Sequence, residues 1–259
     1  MKKIVSLMLT VVLCLACAVT VFADTEYKVG RDVEFSGQTD FDYFYTYTDK
    51  DVNYKCFSVV SAEGQRFYAA VKENLYEYYR ATFAGQSLTL NGAYQRAADD
   101  GSPVIKIRTQ ITFDEKGKKV STLLDELLVP VLKANADSLD FQTIYDVFDD
   151  SALTVANDGS YITFDTNPYN FKDSFLFTDV VLREIKLANQ IYGLPDWLYE
   201  EMVSTKALDG RQKESFDRLT VTWTYSPNTG LEVVKTTEST VLLIEYTKNS
   251  PGATNTGGV

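Results

Sequence analysis

Carboxylates are the only abundant acid–base groups in this 259-residue chain, which holds 36 acidic residues and no histidine. Without imidazole there is no Ser-His-Asp or Cys-His catalysis and no His-ligated zinc. Gly85-Gln86-Ser87-Leu88-Thr89 departs from a nucleophile elbow at its last position, and no Ser-x-x-Lys opens a helix. Glycoside hydrolysis needs only two carboxylates about 5–9 Å apart. Asp165, between an apolar strand and Thr166-Asn167-Pro168, is the first acid to consider for it. Its competing role is a turn aspartate that accepts from its own backbone. Calcium would suit the oxygen-rich composition. However, Asp49-Lys50-Asp51-Val52-Asn53 is followed by Tyr54 where an EF-hand loop needs glycine, and Val60 stands where it needs glutamate. Asp146-Val147-Phe148-Asp149-Asp150 reads as a solvated acidic knot. No catalytic residue, metal or cofactor is assigned.

Compartment follows from the first residues. Lys2 and Lys3, an apolar Ile4–Val21 stretch and the small residues of Val21-Phe22-Ala23 form a secretory leader, with cleavage expected before Asp24. The chain is therefore expected to be secreted, from a bacterium. The alternatives are an uncleaved anchor, or a lipoprotein held through Cys17, although Cys14-Leu15-Ala16-Cys17 carries cysteine where the lipid box usually has leucine. Past the leader only Cys56 remains, so packing and not a disulfide must hold the protein. Cys56, in the run Tyr54-Lys55-Cys56-Phe57, reads as a small buried hydrophobe. A net charge of −11 disfavours nucleic acid as a partner. No stable membrane span is expected after cleavage.

The elements that must position any site fall into two groups. Val33–Phe35, Phe41–Tyr47 and Tyr54–Val60 read as strands, with aromatics at every odd position from 41 to 47 on one face. Arg66–Val71 is a strand or a helix start. Asn74–Phe83 has helical spacing with Gly85 as its stop, and Leu88–Gly92 and Val104–Arg108 complete the group, with Pro103 opening the last strand. Glu115–Lys119 is a charged connector, and Pro130 is expected to end or kink a helix over Leu123–Leu132. Then come a helix over Phe141–Phe148 and a hairpin of Leu153–Val155 with Tyr161–Phe164 around Asn157-Asp158-Gly159. Helices follow over Phe177–Tyr192, striped by Val181, Ile185, Ala188 and Tyr192, and from Pro195 to about Val203. Leu219–Tyr225 sets Leu219, Val221, Trp223 and Tyr225 against a face of threonines, a sheet face that the long helix should cover. Ser226-Pro227-Asn228-Thr229-Gly230 turns into Leu231–Val234, and Val241–Tyr246 is a last strand. That pentapeptide is similar to a cell-wall sorting motif, but its place between two strands makes it a turn.

Three strands, a helix and two strands, with Gly92 inside the fourth strand, resemble an OB-fold barrel over about ninety residues. The resemblance places the ligand face on strands two and three, near Tyr43, Tyr45, Tyr47 and Tyr54. The burial habit of aromatics predicts instead that one alternating set fills the barrel. In the C-terminal half, Asp165-Thr166-Asn167-Pro168, Gly193-Leu194-Pro195, Ala207-Leu208-Asp209-Gly210 and Val221-Thr222-Trp223-Thr224-Tyr225 resemble an uncharacterised domain of secreted Gram-positive proteins, which implies a compartment and no activity.

The resulting expectation is α+β. A signal peptide (1–23) precedes an OB-like β domain (24–115) and a helical connector (116–138). An α+β domain (139–248), an antiparallel sheet covered by helices, and a disordered tail (249–259) follow. The expected function is non-enzymatic binding of a glycan, peptide or surface protein, with Tyr43, Tyr45, Tyr47 and Tyr54 as ligand-binding residues. The alternative is a carboxylate-dependent glycan hydrolase.

Overall fold

Alternation from Val33 onward produces one long strand where two were expected. The computed structural model describes residues 27–170 and 178–237. The leader with Cys14 and Cys17, the start of the helix at Phe177, the strand at Val241–Tyr246 and the tail lie outside the described residues. The strands of the first sheet are β1 (Asp32–Asp49), β2 (Val52–Val60), β3 (Arg66–Lys72), β4 (Ser87–Ala97), β5 (Pro103–Phe113) and β6 (Lys119–Leu123). The first half of β1 pairs antiparallel with β4 and the second half with β2. β2 pairs with β3 and β4 with β5, both antiparallel, while β3 runs parallel to β5 through Tyr68, Ala69 and Ala70 opposite Val104, Ile105 and Lys106. Hydrogen bonding thus runs around five strands in the order β1-β2-β3-β5-β4 and back to β1. β6 extends the edge of β5 beyond its pairing with β3.

Two glycines let these strands wrap so tightly. A Cβ on Gly37 would sit 2.2 Å from the carbonyl oxygen of Val60, and one on Gly92 would sit 2.2 Å from that of Lys106. Gly92 also falls at a register shift between β4 and β5, as expected for a bend.

The ring is filled by Phe35, Phe41, Phe57, Val59, Phe67, Ala69, Val71, Leu90, Ile105 and Ile107. Phe41 stacks on Phe57 inside, with ring centroids 4.3 Å apart. Tyr43, Tyr45 and Tyr47 lie outside, so the odd-numbered aromatics do not share one face. The cause is a register shift between Asp40 and Phe44. The Asp40 carboxylate accepts from the N–H groups of Asp42 and Tyr43 at 3.0 and 3.2 Å, holding the bulge that reverses the alternation.

Helix α1 (Tyr76–Phe83) closes one end of the ring with Tyr76, Tyr79 and Phe83. The Tyr76 hydroxyl donates to the Phe41 carbonyl at 2.8 Å. Helix α2 (Leu124–Ala134) continues through Pro130 instead of ending there. Proline withdraws a single N–H from the helical ladder, and burial of Leu124, Leu128 and Leu132 along one stripe outweighs that loss. Arg183 clamps α2 through two bonds to Asp125, at 2.8 and 3.0 Å.

Helix α3 (Phe141–Phe148) has the expected bounds, because the Asp140 carboxylate caps it by accepting from the Thr143 N–H at 2.7 Å. The second sheet is antiparallel, in the order β7-β8-β11-β10-β9. It comprises β7 (Leu153–Val155), β8 (Tyr161–Asp165), β9 (Gln212–Phe216), β10 (Leu219–Ser226) and β11 (Gly230–Thr237). Its inner face packs with helices α4 (Thr178–Ile191) and α5 (Asp196–Ser204). The buried stripe of α4 is Val181, Ile185, Ala188 and Ile191; Tyr192 is only partly buried, and Tyr225 reaches solvent at the end of β10. One continuous apolar cluster joins the inside of the ring to the inner face of this sheet. No described helix is long and apolar enough to cross a membrane.

Candidate functional site

Tyr43, Tyr45, Tyr47 and Tyr54 come together on one outer face of the ring, joined by Tyr68, which the sequence reading did not single out. The residues that fill the ring are the phenylalanines and aliphatics above, so the alternating tyrosines are not its core. Lys50 and Asp51, with φ of 47° and 66°, form a two-residue turn of the primed kind. That turn fixes the register, setting Tyr47 opposite Tyr54 and Tyr45 opposite Cys56. Next on the same face come Ala70 opposite Cys56, and Lys106 opposite Ala70. Tyr68 was legible in one respect. Phe67–Val71 is a continuous apolar run, the pattern of a strand covered on both faces.

The five rings form a chain. Tyr43 lies 6.3 Å from Tyr68, Tyr68 5.5 Å from Tyr45, Tyr45 6.2 Å from Tyr47, and Tyr47 5.0 Å from Tyr54. Adjacent planes in three of these four pairs are within 24° of parallel. Rings arranged this way turn their faces toward one another. Cys56, Ala70, Val104 and Ala98 form the small-residue floor beneath them. Tyr43 is 48% exposed and Tyr45 and Tyr47 are partly buried, whereas Tyr54 and Tyr68 are buried, at 8% and 4%.

Electrostatics follow this burial. Desolvation raises the Tyr47 phenol above its ordinary range, and the neighbouring Cys56, Tyr54 and Asp49 add to the effect. Tyr68 is raised by burial and by its bonds with Tyr43 and Asp100, whose carboxylate accepts from the Tyr68 hydroxyl at 3.2 Å. Burial pushes the Cys56 thiol up to about 12, so it stays protonated and inert. Iodoacetamide should leave Cys56 unlabelled in the folded protein and alkylate it in denaturant, read by peptide mass spectrometry. Rapid labelling of the native protein would contradict this burial.

Cations border the rings. The Arg66 guanidinium lies 3.7 Å over Tyr43 and donates to the Ser58 hydroxyl at 3.2 Å. Arg96 approaches Tyr47 at 6.0 Å and Lys106 approaches Tyr54 at 5.7 Å. Lys106 is committed to Asp149 at 3.0 Å, while Lys72 bridges Asp146 and Asp149 at 2.8 and 2.7 Å. The knot around Asp146 is therefore not a free solvated cluster. Asp149 ends α3 in the left-handed conformation, with φ of 52°, and turns back onto cations of β3 and β5. Burial works against charge on Asp149 and Lys72, but their mutual bonds prevail: the carboxyl is held below and the amine above their ordinary values.

Asp165 occupies the turn role, with one carboxylate oxygen accepting from the Asn167 N–H at 2.8 Å. A cavity of about 710 Å³ lies elsewhere, lined by Leu139, Tyr192, Leu194, Phe216 and Leu219. Of its acids, Asp137 is ion-paired with Arg218. The chain matches no protein-family model and no curated protein, and no solved structure matches it.

Proposed function

We propose that this is a secreted or surface-exposed, non-enzymatic binding protein that holds its ligand on the tyrosine face of β1, β2 and β3. The observation that carries the reading is five contiguous tyrosines placed outside a ring that already has its own aromatic core. Leaving Tyr43 half exposed gives up burial that would stabilise the fold. Tyr43, with the partly exposed Tyr45 and Tyr47 beside it, presents an aromatic surface of the sort that marks interaction sites. Tyrosine suits such a face because it offers a rigid body with a polar tip at small entropic cost. We read the ring as an OB-like barrel, supported by its strand order and by the single α-helix between its third and fourth strands; such barrels bind on this face. Export rests on the leader, and the C-terminal half is read as the domain of secreted Gram-positive proteins that it resembles.

The test is a binding screen of the full chain against immobilised glycans and cell-wall fragments, run beside the double variant Tyr43→Ser/Tyr45→Ser. Both side chains are partly exposed, so the melting temperature should change by only a few degrees. Binding should weaken about tenfold or more, the usual cost of losing anchoring aromatics. Full binding by the double variant would overturn the proposal.

A further inference from the structure

We infer that the ligand of the tyrosine face is an acidic glycan, one in which carboxylate-bearing sugars are separated by neutral ones. The inference rests on the binding role proposed for that face. Its first ground is the commitment of charges. The chain has 36 acidic side chains against 25 basic ones, so carboxylate partners are plentiful. Of the arginines, Arg80, Arg108, Arg183 and Arg218 are ion-paired, whereas Arg31, Arg66, Arg96 and Arg211 have no ion pair among the described residues. Of these four, Arg66 and Arg96 are the two that lie over the tyrosine face, at Tyr43 and Tyr47, bonded to a serine hydroxyl and a backbone carbonyl. Asp100 lies close enough to feel Arg66 but binds the Tyr68 hydroxyl. A guanidinium kept free of carboxylate retains its full capacity to bind one bidentately.

The second ground is spacing. Tyr43 and Tyr47, the rings that carry the two arginines, are four residues apart on β1, ~13 Å at the rise of a strand. Between them lies the partly exposed Tyr45, whose phenol suits a sugar hydroxyl and offers no net charge, while Tyr68 is buried with its hydroxyl held by Asp100. The arrangement matches anions set apart by neutral units better than it matches one charge per nucleotide. Asp49, Asp100 and Asp149 around the same face also oppose a densely charged phosphate chain. Rings turned toward one another, with Arg66 over the face of Tyr43, leave little flat surface for the stacking of bases that single-strand binding relies on.

The probe is a hyaluronan decasaccharide, in which glucuronate alternates with neutral N-acetylglucosamine, titrated into the full chain by calorimetry. The same oligosaccharide with its carboxyls methyl-esterified and an oligo-dT strand are titrated alongside. The acidic sugar should bind, and its ester should bind about tenfold more weakly or not at all. Arg66→Gln and Arg96→Gln should each cost about tenfold, as loss of a charge-assisted contact does, with unchanged melting. If the ester binds equally well, or the arginine variants are silent while Tyr43→Ser/Tyr45→Ser abolishes binding, the acidic class is wrong and the face survives. If the acidic sugar binds and neither set of variants matters, both readings fall. Absence of binding to the acidic sugar would overturn the ligand class. Oligo-dT binding with equal strength and the same arginine dependence would overturn the choice of glycan.

Discussion

Stability of this protein should pass through a minimum near pH 7–8, with firmer folding on either side. Two buried groups, an acid on α4 and an amine on β11, produce the trough. Glu184 on α4 is 1% exposed and one of its carboxylate oxygens has no hydrogen-bond partner. Burial, reinforced by the charges of Asp150 and Asp125 and only partly offset by Arg183, raises its pKa from 4.5 to about 8. Between those values the folded protein binds the proton that the unfolded chain has released, so stability falls as pH rises through the window. Lys235 on β11 is fully buried, and its amine donates to the Asn189 side-chain oxygen at 2.5 Å. Burial lowers its pKa from 10.5 to about 7. Here the unfolded chain holds the extra proton, so stability rises from pH 7 upward. Above pH 10 the buried phenols of Tyr76, Tyr79 and Tyr192, raised by desolvation, pull it down again. Each arm is worth on the order of a few kcal/mol, at 1.36 kcal/mol per pH unit of pKa difference. Chemical denaturation from pH 4.5 to 10 should show the dip. Glu184→Gln should flatten the acid arm and Lys235→Met the alkaline arm. A broad maximum at pH 7 in the parent protein would show that neither group is buried as described.

The same lysine shows what was hidden in the sequence. Strand β11 was expected to end at Val234, one residue before a charged side chain. In the structure Lys235 keeps the period of Leu231 and Val233 and goes inward, paired across the sheet with Val221 and Ile162. A local pattern cannot reveal that Asn189, 46 residues earlier, will meet the amine. Strands β6 and β9 were missed for a different reason. They are polar edge strands, Lys-Val-Ser-Thr-Leu and Gln-Lys-Glu-Ser-Phe, largely exposed, so burial imposes no alternation on them. The bulge at Asp40 lay beyond periodicity because it depends on a side chain accepting from the backbone. Where the determinants are local the reading was close: the Phe141–Phe148 helix, the Asn157-Asp158-Gly159 turn, and Pro103 at the head of β5. The tyrosine face was half legible. Its β1 and β2 members were visible as a pattern, whereas Tyr68 and the two arginines join it only through the strand pairing.

Trp223→Ala should cost about 3–5 kcal/mol, the range for truncating a buried aromatic. Trp223 is 2% exposed and belongs to the cluster that contains Val221, Val233, Ile185, Leu198 and Met202. It is not an exposed stacking platform. Its indole N–H donates to the Thr205 hydroxyl at 2.8 Å, at the end of α5, so the one residue ties sheet, helix and the following loop together. Alanine would leave a cavity too well surrounded to collapse and would remove the Thr205 partner. Trp223→Phe keeps most of the volume but loses the bond, and should cost about 1 kcal/mol for the missing hydrogen bond plus a smaller packing defect. At ~2–4 °C per kcal/mol for a chain of this size, the alanine variant should melt ~10 °C below the parent. Because the apolar cluster runs unbroken from the ring to the second sheet, the loss should lower one shared transition. A second, unshifted transition belonging to the ring would show that the two halves unfold separately. A shift of under a degree would show that the indole does not hold the helical layer to the sheet.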